Sequence, residues 1–213
     1  MTTFAIVPVK RLSEAKSSLS AVLTTKQRRG LVLAMLKDVL KATSGARSIA
    51  GTIVVSPDDD VIKFARKNGA DGVAEPGVEL NEALKLAIQS AITNGATSVL
   101  IVPSDVPFLT ADDIENIVAM ASSRRDVVIA PSKNNGTNVL FLRPPDIMTL
   151  HFGGESFPTH LSEARRASIT PHIYRSVTVA TDIDDPADLV EAKKFGCGTQ
   201  TCKFLESLRI LQH

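Results

Sequence analysis

Through the first half of the chain, short unbroken apolar runs alternate with longer segments whose apolar residues recur every three or four positions. The clearest run is Val99-Leu100-Ile101-Val102, mostly β-branched and closed by Pro103. Such a run reads as a strand buried on both faces. Residues 3–9, 50–55 and 72–75 read as strands too, the first ending at Pro8. Between them lie helical patterns. Leu31, Met35 and Val39 share one face of a helix from Thr24 or Thr25 to about residue 43, with Val32, Leu36 and Leu40 beside them and Gly45 after it. Ser56-Pro57-Asp58-Asp59-Asp60 supplies a turn and an acidic first helical turn, and Asn68-Gly69 a stop. Asn81 is placed to cap a helix over 82–93, and Thr110 to cap one running to about residue 122. Residues 10–21, rich in Lys, Arg and Ser, suit a loop with some helical turn.

This repeated strand–helix alternation predicts an α/β architecture: a largely parallel sheet with helices on both faces. No repeat, low-complexity stretch or linker interrupts it, so one domain over residues 1–213 is expected. The second half is less regular. Strands are expected over 126–130, 139–142 and 174–179, and helices over 158–167 and from Pro186 to Phe195. A last amphipathic segment carries Phe204, Leu205, Leu208 and Leu211.

Composition narrows the class. A chain of 213 residues, 44% hydrophobic and 22% charged, suits a soluble globular protein with a proper core. The formal net charge of +1 gives no global field for nucleic acid or a membrane surface. The charge is uneven, however: up to Arg47 there are nine Lys or Arg against Glu14 and Asp38. Without Trp and with one Tyr, little is offered for single-stranded nucleic acid to stack on. No run approaches the roughly 18 apolar residues of a membrane span, and no signal-peptide pattern opens the chain. Cys197 and Cys202 have no histidine at zinc-site spacing; they read as reduced thiols of a cytoplasmic protein rather than a local disulfide.

Candidate chemistry falls in loops that follow strands or open helices, where ligands of open α/β sheets bind. Lys10, Arg11 and Lys16 follow the first strand; flexible ammonium groups there suit a triphosphate, and otherwise form a solvated loop. Neither a GxGxxG fingerprint nor a Walker A loop is present. Asp105 sits just past the strand at 99–102, between Pro103 and Pro107. It suits a hard cation such as Mg²⁺, or else a turn or helix cap. Gly136-Thr137-Asn138 and Gly153-Gly154-Glu155-Ser156 let backbone N–H groups approach an anion, or are ordinary turns. In Asp182-Ile183-Asp184-Asp185 the alternate carboxylates share a face and, with Asp105, could hold one or two Mg²⁺ ions, while Asp185 caps the helix opening at Pro186. His160 either points back toward the anion site or serves as a structural hydrogen bonder, the commoner role. Ser56, Glu75 and Asn81 follow the second and third strands, where a nucleobase or ribose could be read.

Taken together, several stretches resemble the 2-phospho-L-lactate guanylyltransferase family, nucleotidyltransferases of deazaflavin coenzyme F420 biosynthesis. They are Val7-Pro8-Val9-Lys10 with Ala15-Lys16-Ser17, Pro103-Ser104-Asp105-Val106-Pro107, Gly136-Thr137-Asn138-Val139-Leu140, Phe152-Gly153-Gly154-Glu155-Ser156-Phe157 with His160, and Asp182-Ile183-Asp184-Asp185-Pro186-Ala187-Asp188-Leu189. Their order and spacing carry the resemblance, up to about residue 190. It implies a three-layer α/β/α nucleotidyltransferase fold, similar to the nucleotide-diphospho-sugar transferases, with a mixed, mostly parallel sheet. It implies GTP as substrate, Mg²⁺, and a small phosphorylated acid as acceptor: 2-phospho-L-lactate or phosphoenolpyruvate. Pyrophosphate and a guanylylated acid would be the products. Asp105 is implied as a metal ligand with Asp182 or Asp184, and Lys10 and Lys16 as triphosphate contacts. Pro8 and Ser104, in the matched motifs, go with the nucleotide. Thr137, Asn138, Gly153, Ser156 and His160 go with the acceptor. A homodimer is also implied. Relatives often carry Gly-Asp where this chain has Ser104-Asp105, Gly-Leu-Asn where it has Glu79-Leu80-Asn81, and an acidic residue where Asn134 and Asn135 stand.

Other readings keep part of this picture. A cytidylyl- or uridylyltransferase acting on a sugar or polyol phosphate would share the fold. A non-catalytic nucleotide-binding regulator would have little need of Asp105, Lys10 and Asp184. A glycosyltransferase would have little use for a small anion loop at Gly153.

Overall fold

In the computed structural model, which describes residues 2–195 and 198–208, seven strands form one sheet in the order β3-β2-β1-β4-β6-β5-β7. β1 (Thr3–Pro8) lies between β2 (Ile49–Ser56) and β4 (Ser98–Ile101), and β3 (Asp71–Ala74) flanks β2, all in parallel. β6 (Thr137–Arg143) runs antiparallel to β4 and to β5 (Asp126–Pro131), and the short β7 (His172–Ile173) pairs in parallel with β5. The sheet is therefore mixed and mostly parallel, as expected.

Two features of this order position the site. The chain leaves β1 toward β2 and β3 on one side, then returns to β4 on the other. The seam between β1 and β4 is thus a topological switch point, and a crevice opens outside their carboxyl ends. β6 then runs the other way. Its Leu140 pairs with Ile101 at the end of β4, so Asn138 and Thr137 lie past that end, at the same edge of the sheet.

The apolar runs are unbroken because both faces are covered. Val7, Val54, Leu100, Val128 and Phe141 face α1 (Thr25–Gly45), α2 (Asp59–Lys67), α4 (Ala111–Met120) and, further out, α7 (Pro186–Ala192) and α8 (Gln200–Ser207). Ile6, Ile53, Val99, Ile101 and Leu140 face α3 (Leu80–Thr93) and α5 (Ser156–Arg166). Each such side chain contributes about 1.5–3 kcal/mol by leaving water. Thr24 and Thr110 cap α1 and α4 with reciprocal capping boxes, the second closed by Asp113. Residues 17–21 form a single 3-10 turn within the basic loop.

The structure departs from the sequence reading at two elements. The strand expected over 174–179 is not formed: β7 stops at Ile173, Tyr174 only donates its N–H to Ile129, and Val177–Ala180 is a short helix, α6. The cause is the buried Asp113 carboxylate, which accepts from the Tyr174 hydroxyl (2.7 Å) and from Thr178 Oγ1 (2.8 Å). Together with the Thr110 hydroxyl, these donors outweigh burial and hold the Asp113 pKa below its ordinary value. Tertiary contacts here override the β preference of Val177, Thr178 and Val179. Asn81 does not cap α3 either. That helix begins at Leu80 behind Glu79, and the Asn81 side chain is engaged elsewhere. Leu211, Cys197 and His213 lie outside the described residues. Cys202 is free and buried, with burial raising its thiol pKa.

The last helix is fastened by one carboxylate. Asp38, buried on α1, accepts from Gln200 N (2.7 Å), Thr201 N (2.8 Å) and Thr201 Oγ1 (2.7 Å) at the start of α8. Asp38→Ala should therefore cost about 2–3 kcal/mol in urea unfolding, since it deletes a cap and strands buried donors. An unchanged midpoint would contradict this fastening.

Candidate active site

A cleft of about 420 Å³ opens at the carboxyl ends of β1 and β4. Pro8 and Lys10 enter it from β1 and Lys16 from the loop that follows. Ser104 and Asp105 come from the end of β4, and Thr137 and Asn138 from the start of β6. Gly153 and Ser156 come from the entry to α5, and Asp182 and Asp184 from the loop before α7.

Charge is concentrated on one wall. Lys16 has a left-handed backbone (φ 54°, ψ 43°) at the start of the 3-10 turn. Its Nζ lies 2.8 Å from Asp105 Oδ2 and 2.7 Å from Asp184 Oδ1, and only 10% of its side chain is exposed. Burial works to lower the Lys16 pKa, but Asp105 and Asp184 outweigh it and raise the value above the ordinary one. The acidic loop is drawn to Asp105 by the backbone as well: Ile183 N donates to Asp105 O at 3.0 Å. The Ser18 hydroxyl donates to the Asp184 carbonyl. Asp182 makes the charge imbalance visible. Burial first, then Asp105 and Asp184, push its pKa up to about 6.

Among the described residues, no three His, Cys, Asp or Glu side chains form a ready-made metal cage. The donor set nevertheless suits a hard divalent cation. Asp105, Asp182 and Asp184 offer carboxylate oxygens, with one ammonium among them. Mg²⁺ is usually held by one or two carboxylates plus substrate phosphates rather than by a full protein cage.

A second part of the lining has an open glycine backbone and hydroxyls, a set that suits an anion. Gly153 (φ 114°) and Gly154 (φ 51°) adopt backbone conformations that other residues rarely take, in open space. Ser156 Oγ accepts from Thr137 N (2.9 Å), which joins the end of this loop to β6. Behind them, His160 is fully buried, 2.9 Å from Thr137 Oγ1.

The comparisons with known proteins fit this geometry. The family described as "Guanylyl transferase CofC like" matches residues 3–212. This chain belongs to that family. A phosphoenolpyruvate guanylyltransferase of Sphaerobacter thermophilus is 45% identical over 192 residues, covering 90% of this chain and 92% of the relative. A 2-phospho-L-lactate guanylyltransferase of Methanothermobacter thermautotrophicus is 40% identical over 210 residues, covering 98% and 92%. The solved structure of a nucleotidyl transferase from the latter organism superposes with a TM-score of 0.70 at 15% identity, covering 97% of this chain and 99% of that one. The last likeness speaks for the fold alone. As a member of the guanylyl transferase family, the chain is a nucleotidyltransferase. No helix among its described residues is long and apolar enough to cross a membrane.

Within this guanylyl transferase frame, some candidate residues do not reach the cleft. Ser56 is buried, and its Oγ accepts from Asp58 N (3.1 Å). The Glu75 carboxylate accepts from Gly77 N (2.5 Å) and Val78 N (2.7 Å), shaping the turn after β3. Asn81 grips the Phe152 backbone from both sides: Phe152 N donates to its Oδ1 (2.8 Å), and its Nδ2 donates to Phe152 O (3.2 Å). It thus steadies the glycine loop from behind. His160 lies behind Thr137 instead of facing the cleft. Asn138 is a lining residue whose amide donates to Val179 O (2.9 Å). Asp185 caps α7, accepting from Ala187 N and Asp188 N (2.8 and 3.2 Å).

Ser18 and Ser132 also serve the site, though neither carries a motif that marks it in the sequence. Ser132 Oγ accepts from Asn134 N (3.2 Å) and Gly136 N (2.9 Å), folding the turn that delivers Thr137. The place of Ser132 four residues ahead of a turn glycine is a weaker signal of this role.

Burial, then the neighbouring His151, lowers the His160 pKa from its ordinary 6.5 to about 4. The unfolded chain therefore binds the proton more readily. Stability is present in full above pH 6.5 and is lost as the pH falls toward 4. Between pH 7 and 4, the wild type should lose up to about 3 kcal/mol more than His160→Gln in urea unfolding. Equal losses would show that His160 titrates normally.

Proposed function

We propose that this chain moves GMP from GTP to a small phosphorylated acid, 2-phospho-L-lactate or phosphoenolpyruvate, and releases pyrophosphate. The observation that carries the reading is that the Lys16–Asp105–Asp184 cluster and the Gly153-Gly154 loop with Thr137 and Ser156 face the same cleft. One wall suits a triphosphate with its cation, the other a compact anion. The names of the two relatives given above support guanine as the base and a phosphorylated three-carbon acid as the acceptor. The reading extends to a single-domain cytoplasmic enzyme of coenzyme F420 biosynthesis, working as a homodimer.

No protein nucleophile is needed. The acceptor phosphate is already an anion at neutral pH and attacks the α-phosphorus of GTP, opposite the departing pyrophosphate. Thr137, Gly153 and Ser156 hold the acceptor in line. Lys10 and Lys16 bind the triphosphate: Lys10, on an exposed stem, follows the charge as it moves onto pyrophosphate, while Lys16, held between Asp105 and Asp184, supplies fixed positive charge. Asp105, with Asp182 and Asp184, would hold Mg²⁺, which when bound neutralises phosphate charge. Catalysis is then positioning and electrostatics in a partly enclosed cleft.

Pyrophosphate release should be measured with Mg²⁺ and each of GTP, ATP, CTP and UTP, against 2-phospho-L-lactate, phosphoenolpyruvate and no acceptor. Release only with GTP plus a phospho-acid is expected. Release in no combination, or only with a pyrimidine nucleotide, would overturn the reading. Asp105→Asn should lower turnover by several powers of ten while leaving thermal unfolding nearly unchanged. Near-full activity in that variant would remove Asp105 from the machinery.

A further inference from the structure

His160 has a decided hydrogen-bond polarity. The backbone N–H of His151 points at its Nε2 at 3.0 Å. A backbone N–H can only donate, so Nε2 must accept and carry no hydrogen. In a neutral imidazole the hydrogen then sits on Nδ1, 2.9 Å from Thr137 Oγ1. Thr137 accepts it, so its own hydroxyl proton is not spent on His160. Thr137 lines the cleft. The Phe152 ring meets the imidazole edge-on, 4.9 Å between centroids at 66°, and helps hold its plane. Asn81 in turn fixes the Phe152 backbone.

We propose that His160 is a positioning residue whose backbone-locked tautomer turns the Thr137 hydroxyl into a hydrogen-bond donor toward the cleft, so that the acceptor is taken as a full anion. For its substrate, this rests on the function proposed above; for its tautomer, it does not. The opposite tautomer would set an Nε2–H against the His151 N–H. It would also draw the Thr137 proton inward, leaving oxygen lone pairs facing the acceptor's negative charge. A carboxylate or phosphate would then be repelled where it is now bound. Ser156 matches this arrangement, because its Oγ accepts from Thr137 N and its proton is likewise left over. Together they make a pair of cleft-lining hydroxyls whose oxygens accept inside the fold and whose protons are left to give.

The first test needs no substrate. In the wild-type protein with ¹⁵N-labelled histidine, the His160 ring should show a protonated Nδ1 and a bare Nε2 at neutral pH. A protonated Nε2 would overturn the proposal. If Nδ1 carries the proton and neither phospho-acid turns over, the proposed function fails and the tautomer assignment stands. The second test is a double-mutant cycle between His160→Gln, which keeps an acceptor for the His151 N–H, and Thr137→Val. His160→Gln alone should raise the KM for the phospho-acid about 10- to 50-fold, the effect of one lost hydrogen bond to a charged group, and leave the KM for GTP unchanged. Added to Thr137→Val, it should raise the phospho-acid KM no further. A merely structural His160 would instead raise both KM values, or keep its full effect without the Thr137 hydroxyl. Either result would overturn the proposal, as would an unchanged phospho-acid KM. Should His160→Gln fail to fold, the ring spectrum of the wild type decides alone.

Discussion

One ammonium, that of Lys16, lies between Asp105 and Asp184, and the mouth of the cleft depends on it. The contact joins the loop after β1, the end of β4 and the loop before α7, segments as far apart as 168 positions. The ammonium is buried, but its carboxylates reach solvent, 27% exposed at Asp105 and 60% at Asp184, and either one alone still faces it, so losing one of them costs far less than breaking a fully buried pair would. The contact is also incomplete as neutralisation. Asp182 stands beside it with a raised pKa, so the wall carries more negative charge than its lysine can balance. A wall in that state attracts a divalent cation and, through the cation, a polyphosphate. The ion pair thus preserves the shape of the site while leaving its charge unsatisfied.

The sheet order explains why an acceptor loop faces that wall. With parallel strands alone, only βα loops would reach the crevice. The reversed direction of β6 brings the start of a strand to the same edge, so Thr137 and Asn138 arrive beside Asp105. The Ser132 turn, the Ser156 bond to Thr137 N and the Asn81 grip on Phe152 then brace this side with short polar contacts. The charged wall is held by ion pairs and the acceptor wall by neutral hydrogen bonds. This division suits their tasks: one must offset the charge of a polyphosphate and its cation, the other must hold a small molecule still.

Much of this was legible in the sequence where the cause is local. The buried strands announce themselves by unbroken apolar runs, and Thr24 and Thr110 cap the helices they precede. Asp105 follows its strand between prolines, so its place at the crevice could be read from spacing. What could not be read depends on distant partners. Asn81 looks like a helix cap until Phe152, 71 residues away, takes both ends of its amide. Residues 174–179 look like a strand until Asp113, 61 residues from Tyr174, collects their hydroxyls. Ser56 and Glu75 follow strands on the expected side, but each accepts backbone N–H groups of its own local turn and neither lines the cleft. The direction of β6 leaves no trace in a period-two pattern. Neither does the role of His160, whose protonated nitrogen is chosen by a backbone amide nine residues earlier.

The central claim is that the cleft positions two substrates for direct displacement and contributes no nucleophile of its own. The stereochemistry at the α-phosphorus tests it most directly. With one diastereomer of α-thio-GTP and the phospho-acid that turns over, a single in-line attack inverts the configuration in the guanylylated product. Inversion is the result expected. Retention would mean two displacements through a guanylylated side chain, and would contradict the account.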